Sequence, residues 1–277
     1  MDTTCYNFKN VSFNIGLFDS FIDMTYVLIM ENSNREKNMY KELNLFKPTS
    51  KVKIQYNKGF KKCKKNLYKQ QTNWDLMDAT YNAMLDAKNN GYKNILILEE
   101  DFIVNNKEIN KLKNINEIKT YIKKNKIDIY LLGKFNINVS YTNNKHLVCN
   151  KENHCGGTQG YIITNSGIDT LIHLYESGNY KLLEKISYGH IDWLYNSTYF
   201  KTYHYNKPLI IQPLDETENR NNTWGINYIT NFYVKLFGLD DNNKNKLIKN
   251  YKLLYKYNNL FKYILLFLLF ILIYIYY

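Results

Sequence analysis

NILILEED, residues 94–101, decides how the rest of this chain is read. Ile95 to Leu98 are four apolar residues in a row with no polar face to offer water. They predict a strand buried on both sides, the kind found in sheets covered by helices. The strand stops at Glu99-Glu100-Asp101. Three successive carboxylates repel one another, and they are costly beside a buried strand unless a cation or ordered donors offset them. In an extended segment the side chains at i and i+2 point the same way, so Glu99 and Asp101 are expected to face one site and Glu100 the other. That pair suits a hard divalent cation. The plain alternative is an acidic, solvated turn at a strand end.

Working outward, Trp74, Met77, Tyr81, Met84 and Ala87 recur at three- and four-residue spacing, which predicts a helix from about Asn73 to the stop at Asn89-Asn90-Gly91. Before it, Tyr26–Met30 (YVLIM) reads as a short buried strand and Asn32–Asn34 as a polar turn. The stretch through Leu45 reads as a helix and Lys51–Gln55 (KVKIQ) as a second strand. Beyond the acids, a helix is expected around Glu117–Lys124 and a strand at Asp128–Leu132, closed by Gly133. Strands alternating with helices predict an α/β domain with a mostly parallel central sheet. Ligands of such sheets sit outside the carboxyl ends of the strands, where the acids lie. The chain has 277 residues, 45% hydrophobic and 22% charged, which supports a folded core and excludes a disordered chain. No internal period of the solenoid kind is present.

The formal charge of +12 is almost entirely lysine, since Arg35 and Arg220 are the only arginines. Lys51 to Lys69 holds eight lysines and no acid. The bland reading is a solvated face. A nucleic-acid surface is the less favoured one, because lysines without interleaved arginines or stacking aromatics make only salt-sensitive contacts. With 41 asparagines and 27 tyrosines the composition also resembles the codon drift of an AT-rich genome, so part of the basicity needs no physical reason.

A second lysine run, Asn242 to Lys262, abuts Tyr263–Tyr277 (YILLFLLFILIYIYY), fifteen residues without a charge. As a helix they reach about 22 Å, a thin span for a hydrocarbon core. Tyrosines at both ends and a basic flank fit a C-terminal anchor with the flank on the cytoplasmic side. The alternatives are a helix lying in the interface or a buried terminal element. The expected division is a domain over 1–240, a basic juxtamembrane segment over 241–262 and a transmembrane or anchoring helix over 263–277. No signal peptide is visible after Met1-Asp2, so the domain is expected to face the cytoplasm. Cys5, Cys63, Cys149 and Cys155 then read as reduced thiols, although Cys149 and Cys155 could pair in an oxidising lumen. The sequons at Asn10, Asn138, Asn196 and Asn221 read as unused. His146, Cys149, His154 and Cys155 form a compact cluster, but adjacent ligands at 154 and 155 suit a tetrahedral zinc poorly.

The order YVLIMENSNREKNM, a helix ending in AMLDAKNNGYKNILILEED, DIYLLG, CGGTQGYIITNSGIDTLI, IDWLY and PLIIQ resembles glycosyltransferase family 25 over most of residues 24 to 215. Family members usually read Glu-Asp-Asp where this chain has Glu99-Glu100-Asp101, so the outer acids match and the middle one is a methylene longer. Gly160-Tyr161-Ile162-Ile163-Thr164 leading into Ser166-Gly167 is similar to the family's Tyr-containing strand and helix start, with Ile168 in place of the usual small residue. The resemblance implies a GT-A-like nucleotide-sugar-binding domain, a nucleotide-diphosphate sugar donor and usually Mn²⁺ (or Mg²⁺), with Glu99 and Asp101 as the metal motif. It also places Arg35 against the nucleotide. The chemistry of the residues agrees, because glycosyl transfer releases a diphosphate and a metal neutralising it lowers the barrier.

An inverting transfer also needs a general base for the acceptor hydroxyl. Asp192 in Gly189-His190-Ile191-Asp192-Trp193 matches the aspartate that the family places after its Tyr-containing helix. His190 is a companion for a metal or for the acceptor. Their plain alternatives are a helix N-cap and an exposed loop residue. Gly157, in the glycine-rich stretch 156–160, could let backbone approach a sugar or diphosphate, or mark a plain turn. Gln212, Trp224 and, on the donor side, Glu100 complete the candidates. The partners implied are a nucleotide sugar, a glycan or protein acceptor and a membrane. A second class is an inactive, membrane-anchored binding or structural protein on a transferase fold, as the Glu100 departure would permit.

Overall fold

The computed structural model describes residues 5–134, 145–152, 154–214 and 227–256. Its strands are β1 (Tyr6–Ser12), β2 (Met24–Met30), β3 (Lys51–Asn57), β4 (Asn94–Glu99), β5 (Ile103–Val104), β6 (Ile129–Leu131), β7 (His146–Cys149), β8 (Gly160–Thr164), β9 (Thr202–Tyr205) and β10 (Ile210–Ile211). Its helices are α1 (Glu36–Phe46), α2 (Thr72–Asn89), α3 (Asn106–Ile109), α4 (Leu112–Asn125), α5 (Asn165–Glu176), α6 (Tyr180–Ser187), α7 (Ile191–Tyr195), α8 (Asn227–Phe237) and α9 (244–256).

Eight strands form one sheet in the order β1-β3-β2-β4-β8-β6-β9-β7, and β10 pairs with β5 beside it. β3, β2, β4, β6 and β9 run one way, while β1, β8 and β7 run against them. The sheet is therefore mixed. Its parallel set is split by β8, which pairs antiparallel with both β4 and β6. This insertion brings Gly160, where β8 begins, level with the carboxyl end of β4.

The apolar run 95–98 is sealed on both faces, as its composition requires. Ile95 and Ile97 join a core with Trp74, Met77 and Met84 of α2, whereas Leu96 and Leu98 join a second core with Leu43 of α1 and Ile118 of α4. All four strand residues are fully buried. Each such side chain contributes roughly 1.5–3 kcal/mol relative to exposure, so this strand holds its acidic end rigidly. A charge at Ile97 would break it.

α9 packs Leu247, Tyr251 and Leu254 into a third cluster with Ile211, Leu214 and Leu239. Its Tyr251 hydroxyl donates to the Gln212 carbonyl at 2.9 Å, and the Tyr255 hydroxyl meets the Lys134 backbone. The stretch expected as a basic juxtamembrane segment is thus, through residue 256, a helix packed on the domain. Among the described residues no helix is long and apolar enough to cross a membrane. The apolar segment 263–277 lies outside the described residues.

Candidate active site

β4 ends at Glu99, and the chain turns at once, with the Phe102 N–H donating to the Glu99 carbonyl at 3.1 Å. The side-chain alternation expected of an extended strand therefore stops there. Glu100 and Asp101 fall together on Arg35, whose Nη1 lies 3.2 Å from Asp101 Oδ2 and 3.7 Å from Glu100 Oε1. Glu100 Oε2 also accepts from the Met30 N–H at 3.1 Å. Glu99 instead accepts a hydrogen bond from the Thr158 hydroxyl. Burial, reinforced by the charge of Asp101 and then by those of Asp192 and Glu100, pushes Glu99 up to about 8 against the opposing pull of the Thr158 bond.

The donor set is all hard oxygen, which fits Mg²⁺ or Mn²⁺. Among the described residues no three acidic oxygens gather within reach of a single ion. A hard cation held here would have at most two of these carboxylates. The residues fit such an ion on these terms.

The acids line a cleft of roughly 790 Å³ at the carboxyl ends of β2, β3 and β4, a size suited to a small-molecule ligand. Arg35, Lys58, Lys61 and Lys62 line it too, as do Gly157, Thr158, His190, Asp192 and Gln212. The lysine run 51–69 is thereby divided. Lys58, Lys61 and Lys62 face the cleft, whereas Lys65 is buried on Asp75, Asn57 and Tyr6. Lys53 pairs with Asp86 at 2.6 Å and Lys69 pairs with Glu184. Gly157 has φ +92°, a conformation that side chains disfavour, which explains a glycine at the cleft wall. A shallower depression of about 480 Å³ beside α5 and α6 contains none of these acids.

The opposite wall is built where α6 gives way to α7. Gly189, at φ +79°, leaves so little room that a Cβ would lie 2.5 Å from Asn73 Nδ2. His190 occupies the cap position of α7 without a side-chain cap bond, and Asp192 lies one step inside the helix. Asp192 Oδ1 accepts from the adjacent Trp193 N–H at 3.0 Å. Asp192 is therefore not the N-cap, and both residues stand in the same cleft as Glu99. Gln212 lines the cleft and has a buried Oε1 that meets no partner among the described residues. Trp224 lies outside the described residues.

The cysteines overturn the reading as reduced thiols. Cys5 pairs with Cys63 and Cys149 with Cys155, with Cα atoms 5.7 and 5.5 Å apart. The first pair is 58 residues apart in sequence and meets because β1 runs antiparallel to β3, setting Tyr6 opposite Asn57. The His146, Cys149, His154, Cys155 cluster also dissolves. His146 stacks on Tyr121, with ring centroids 3.7 Å apart, and bonds the Tyr130 hydroxyl, while His154 lies against Trp193 with the two rings tilted by 39°. His204 is the histidine that reaches the two sulfurs. Lys134, just past β6, points its buried ammonium at Cys155 Sγ, 3.7 Å away, and burial pulls its pKa down to about 7. Nothing in the sequence marked Lys134 or Thr158, since one lysine among many and one threonine in a glycine-rich loop carry no spacing signal.

Residues 79–185 match the family model of glycosyltransferase family 25 (LPS biosynthesis protein). No curated protein matches the chain. Among solved structures, a glycosyltransferase involved in the glycosylation of the major capsid of PBCV-1 is 9% identical, with a TM-score of 0.42, covering 70% of this chain and 95% of that one. A197 from STIV is 12% identical, with a TM-score of 0.36, covering 70% of this chain and 87% of that one. Likenesses of that degree carry no weight for function. The family match spans Glu99–Asp101, β8 and α5 and leaves out Arg35, His190 and Asp192. Over residues 79–185, a stretch that includes the acidic strand end, the chain is thus similar to glycosyltransferase family 25.

Proposed function

We propose that this chain transfers a sugar from a nucleotide-diphosphate donor to a hydroxyl of a glycan or protein acceptor, assisted by Mn²⁺ or Mg²⁺. One observation carries the reading: Glu99, Glu100 and Asp101 share a single cleft with Arg35, Lys58, Lys61 and Lys62. A bare anion would meet the acids and a bare cation would meet the lysines. A diphosphate carrying its own cation satisfies both sets at once.

Glu99 and Asp101 would hold the ion, which when bound neutralises the charge of the departing diphosphate. Arg35 fixes Glu100 and Asp101 and borders the nucleotide, and the Thr158 hydroxyl orients Glu99. Gly157 admits backbone close to the sugar, and Gln212 offers a donor hydroxyl its carbonyl oxygen, which has no partner among the described residues. In an inverting course, Asp192 takes the proton of the acceptor hydroxyl as that oxygen bonds the anomeric carbon. The bond from that carbon to the diphosphate oxygen breaks, and its electron pair leaves with the diphosphate. His190 borders the incoming hydroxyl. The apolar segment 263–277 anchors the enzyme to a membrane, a reading supported by its composition.

Thermal shift and hydrolysis across a panel of nucleotide sugars, with and without Mn²⁺, test this. One donor is expected to stabilise the chain only when Mn²⁺ is present, and to be slowly hydrolysed. A panel without shift or hydrolysis overturns the reading in favour of an inactive protein on a transferase fold.

A further inference from the structure

Lys134 is 4% exposed, and among the described residues no carboxylate pairs with it. Its Nζ is directed at Cys155 Sγ, 3.7 Å away. The Tyr255 hydroxyl pins its backbone there, accepting from the Lys134 N–H at 3.0 Å and donating to its carbonyl at 3.1 Å. The sheet edge assembles the rest. β9 lies between β6 and β7 and sets His204 opposite both Leu131 and Leu147, and a ring nitrogen of His204 comes within 4.8 Å of both sulfurs of the Cys149–Cys155 pair. His204 brings no charge. Burial holds it well below its usual range, and its Nδ1, 2.8 Å from the Tyr205 carbonyl, is the protonated nitrogen, since a carbonyl only accepts. Burial lowers His154, the residue before Cys155, in the same direction. A buried ammonium is costly unless an anion meets it. A disulfide sulfur is neutral and a weak acceptor, so it returns little, whereas a thiolate in its place would form a charge-assisted bond.

We propose that Cys149 and Cys155 form a thiol–disulfide exchange site, in which Cys155 is the sulfur that leaves as a thiolate and is held by Lys134. The thiolate of a small thiol attacks Cys149 Sγ, and a new S–S bond forms there. The Cys149–Cys155 bond breaks, and its electron pair goes to Cys155 Sγ beside the ammonium. A second thiolate attacks the reductant's sulfur in this mixed disulfide, and Cys149 leaves and takes a proton from water. Two thiols are thereby oxidised to one disulfide, and the protein pair is reduced by two electrons. Both sulfurs are covered, so exchange runs through opening of the loop between them, where Lys151 and Glu152 are exposed. The other pair supplies the contrast. Cys5 Sγ meets the Lys64 carbonyl at 3.7 Å, and among the described residues no ammonium adjoins Cys5 or Cys63. Stabilising one thiolate favours the reduced form, so the two pairs should differ in potential. Position gives the exchange a consequence at the cleft. Asn196, which closes α7, bonds both the N–H and the carbonyl of Cys155, at 2.8 and 3.1 Å, and three residues on Thr158 donates to Glu99. The disulfide ties this stretch to Cys149 at the end of β7, so reduction loosens the wall at Gly157 and Thr158. The exchange site is independent of which reaction the cleft performs.

Redox titration of the full chain in glutathione buffers of graded ratio, with thiol trapping and peptide mass spectrometry to score each pair separately, is the test. Cys149–Cys155 is expected to open at a ratio that leaves Cys5–Cys63 closed. Lys134→Met keeps most of the side chain and removes its charge. It should make Cys149–Cys155 harder to reduce by about tenfold in equilibrium constant, or ~30 mV, and leave Cys5–Cys63 where it was. A general loss of stability would move both pairs. If Lys134→Met fails to fold, Cys149→Ser gives a second reading, since it leaves Cys155 as a single thiol beside the ammonium. That thiol is expected to show the ultraviolet absorbance of a thiolate at neutral pH, where an ordinary one, with a pKa of about 8.5, is mostly protonated. Hydrogen exchange in the peptide spanning 156–160 should be severalfold faster in the reduced protein. Three results overturn the proposal: a Cys149–Cys155 pair that resists glutathione as firmly as Cys5–Cys63, an unmoved equilibrium in folded Lys134→Met, or a protonated Cys155 in Cys149→Ser. Unchanged exchange at 156–160 overturns its consequence for the cleft.

Discussion

The two walls of the cleft are made of different materials. On the wall formed by the ends of β2, β3 and β4, charges alternate in sign: Arg35 against Glu100 and Asp101, with Lys58, Lys61 and Lys62 around them. On the wall formed by the α6–α7 junction stand one carboxylate, Asp192, and one imidazole, His190, with Ile191 between them. Charged surfaces recognise ionic ligands and steer them in, while one carboxylate and one imidazole can meet an uncharged hydroxyl by hydrogen bonding. A reaction between an anionic donor and an uncharged acceptor needs both, placed so that their ligands meet at one point. Glu99 lies between the two sets of residues, since it feels the charges of Asp101 and of Asp192 at once. Substitutions on the two walls should therefore fail in different ways.

The largest effect is expected on the ionic wall. Asp101→Asn removes one proposed ligand and the closer partner of Arg35, so Mn²⁺-dependent donor binding and turnover should both vanish, with activity down by about 10³-fold, while the fold, fixed by the buried strand behind it, survives. Donor titration with and without Mn²⁺ on the folded variant measures this. Unchanged metal-dependent binding would mean that the charges of this wall serve the structure only.

The α6–α7 wall should fail differently. Asp192→Asn is expected to leave donor affinity near wild type and to cut transfer by roughly 10²-fold, the scale of a general base. The separation of donor Kd from kcat is the informative quantity. If donor affinity collapses instead, Asp192 belongs with Glu99 and Asp101, and the division between the walls is drawn in the wrong place.

The ionic wall was the more legible of the two in sequence, and the reason is physical. Its acids are consecutive and end a fully apolar run, so strand period and charge point to the same eight residues. β2, β3, α2 and β4 were readable on the same grounds, each within a few residues of its ends. What local pattern could not supply was the turn at Glu100–Asp101, which removed the alternation expected of Glu99 and Asp101 and set both later acids on Arg35. The α6–α7 wall depends on contacts across the chain. His154 reaches Trp193 only because 154–155 is bonded to Asn196, some forty residues on, and no period encodes that. The disulfide between Cys5 and Cys63 and the antiparallel β8 are products of pairing over similar distances.

The smallest effect sharpens the comparison at the residue between the walls. Glu99 is held up to about 8 in the folded protein against an ordinary value of 4.5, so the native state keeps a proton that the unfolded chain gives up. Its contribution to stability is fully present below pH 4.5 and is lost progressively as the pH rises towards about 8. Glu99→Gln removes that loss, because the amide never ionises and its Oε1 can still accept from the Thr158 hydroxyl. Without divalent cations the variant should melt about 2 °C or more above wild type at pH 8. The difference should close as the pH falls towards 4.5. Mn²⁺ should invert the order at pH 8, since an ion favours the carboxylate and gains little from the amide. Melting curves of both proteins in chelator and in Mn²⁺ at two pH values decide it. A variant less stable than wild type in chelator at pH 8 would show that the charges from the two walls do not converge on Glu99, and that its carboxylate is satisfied where it stands.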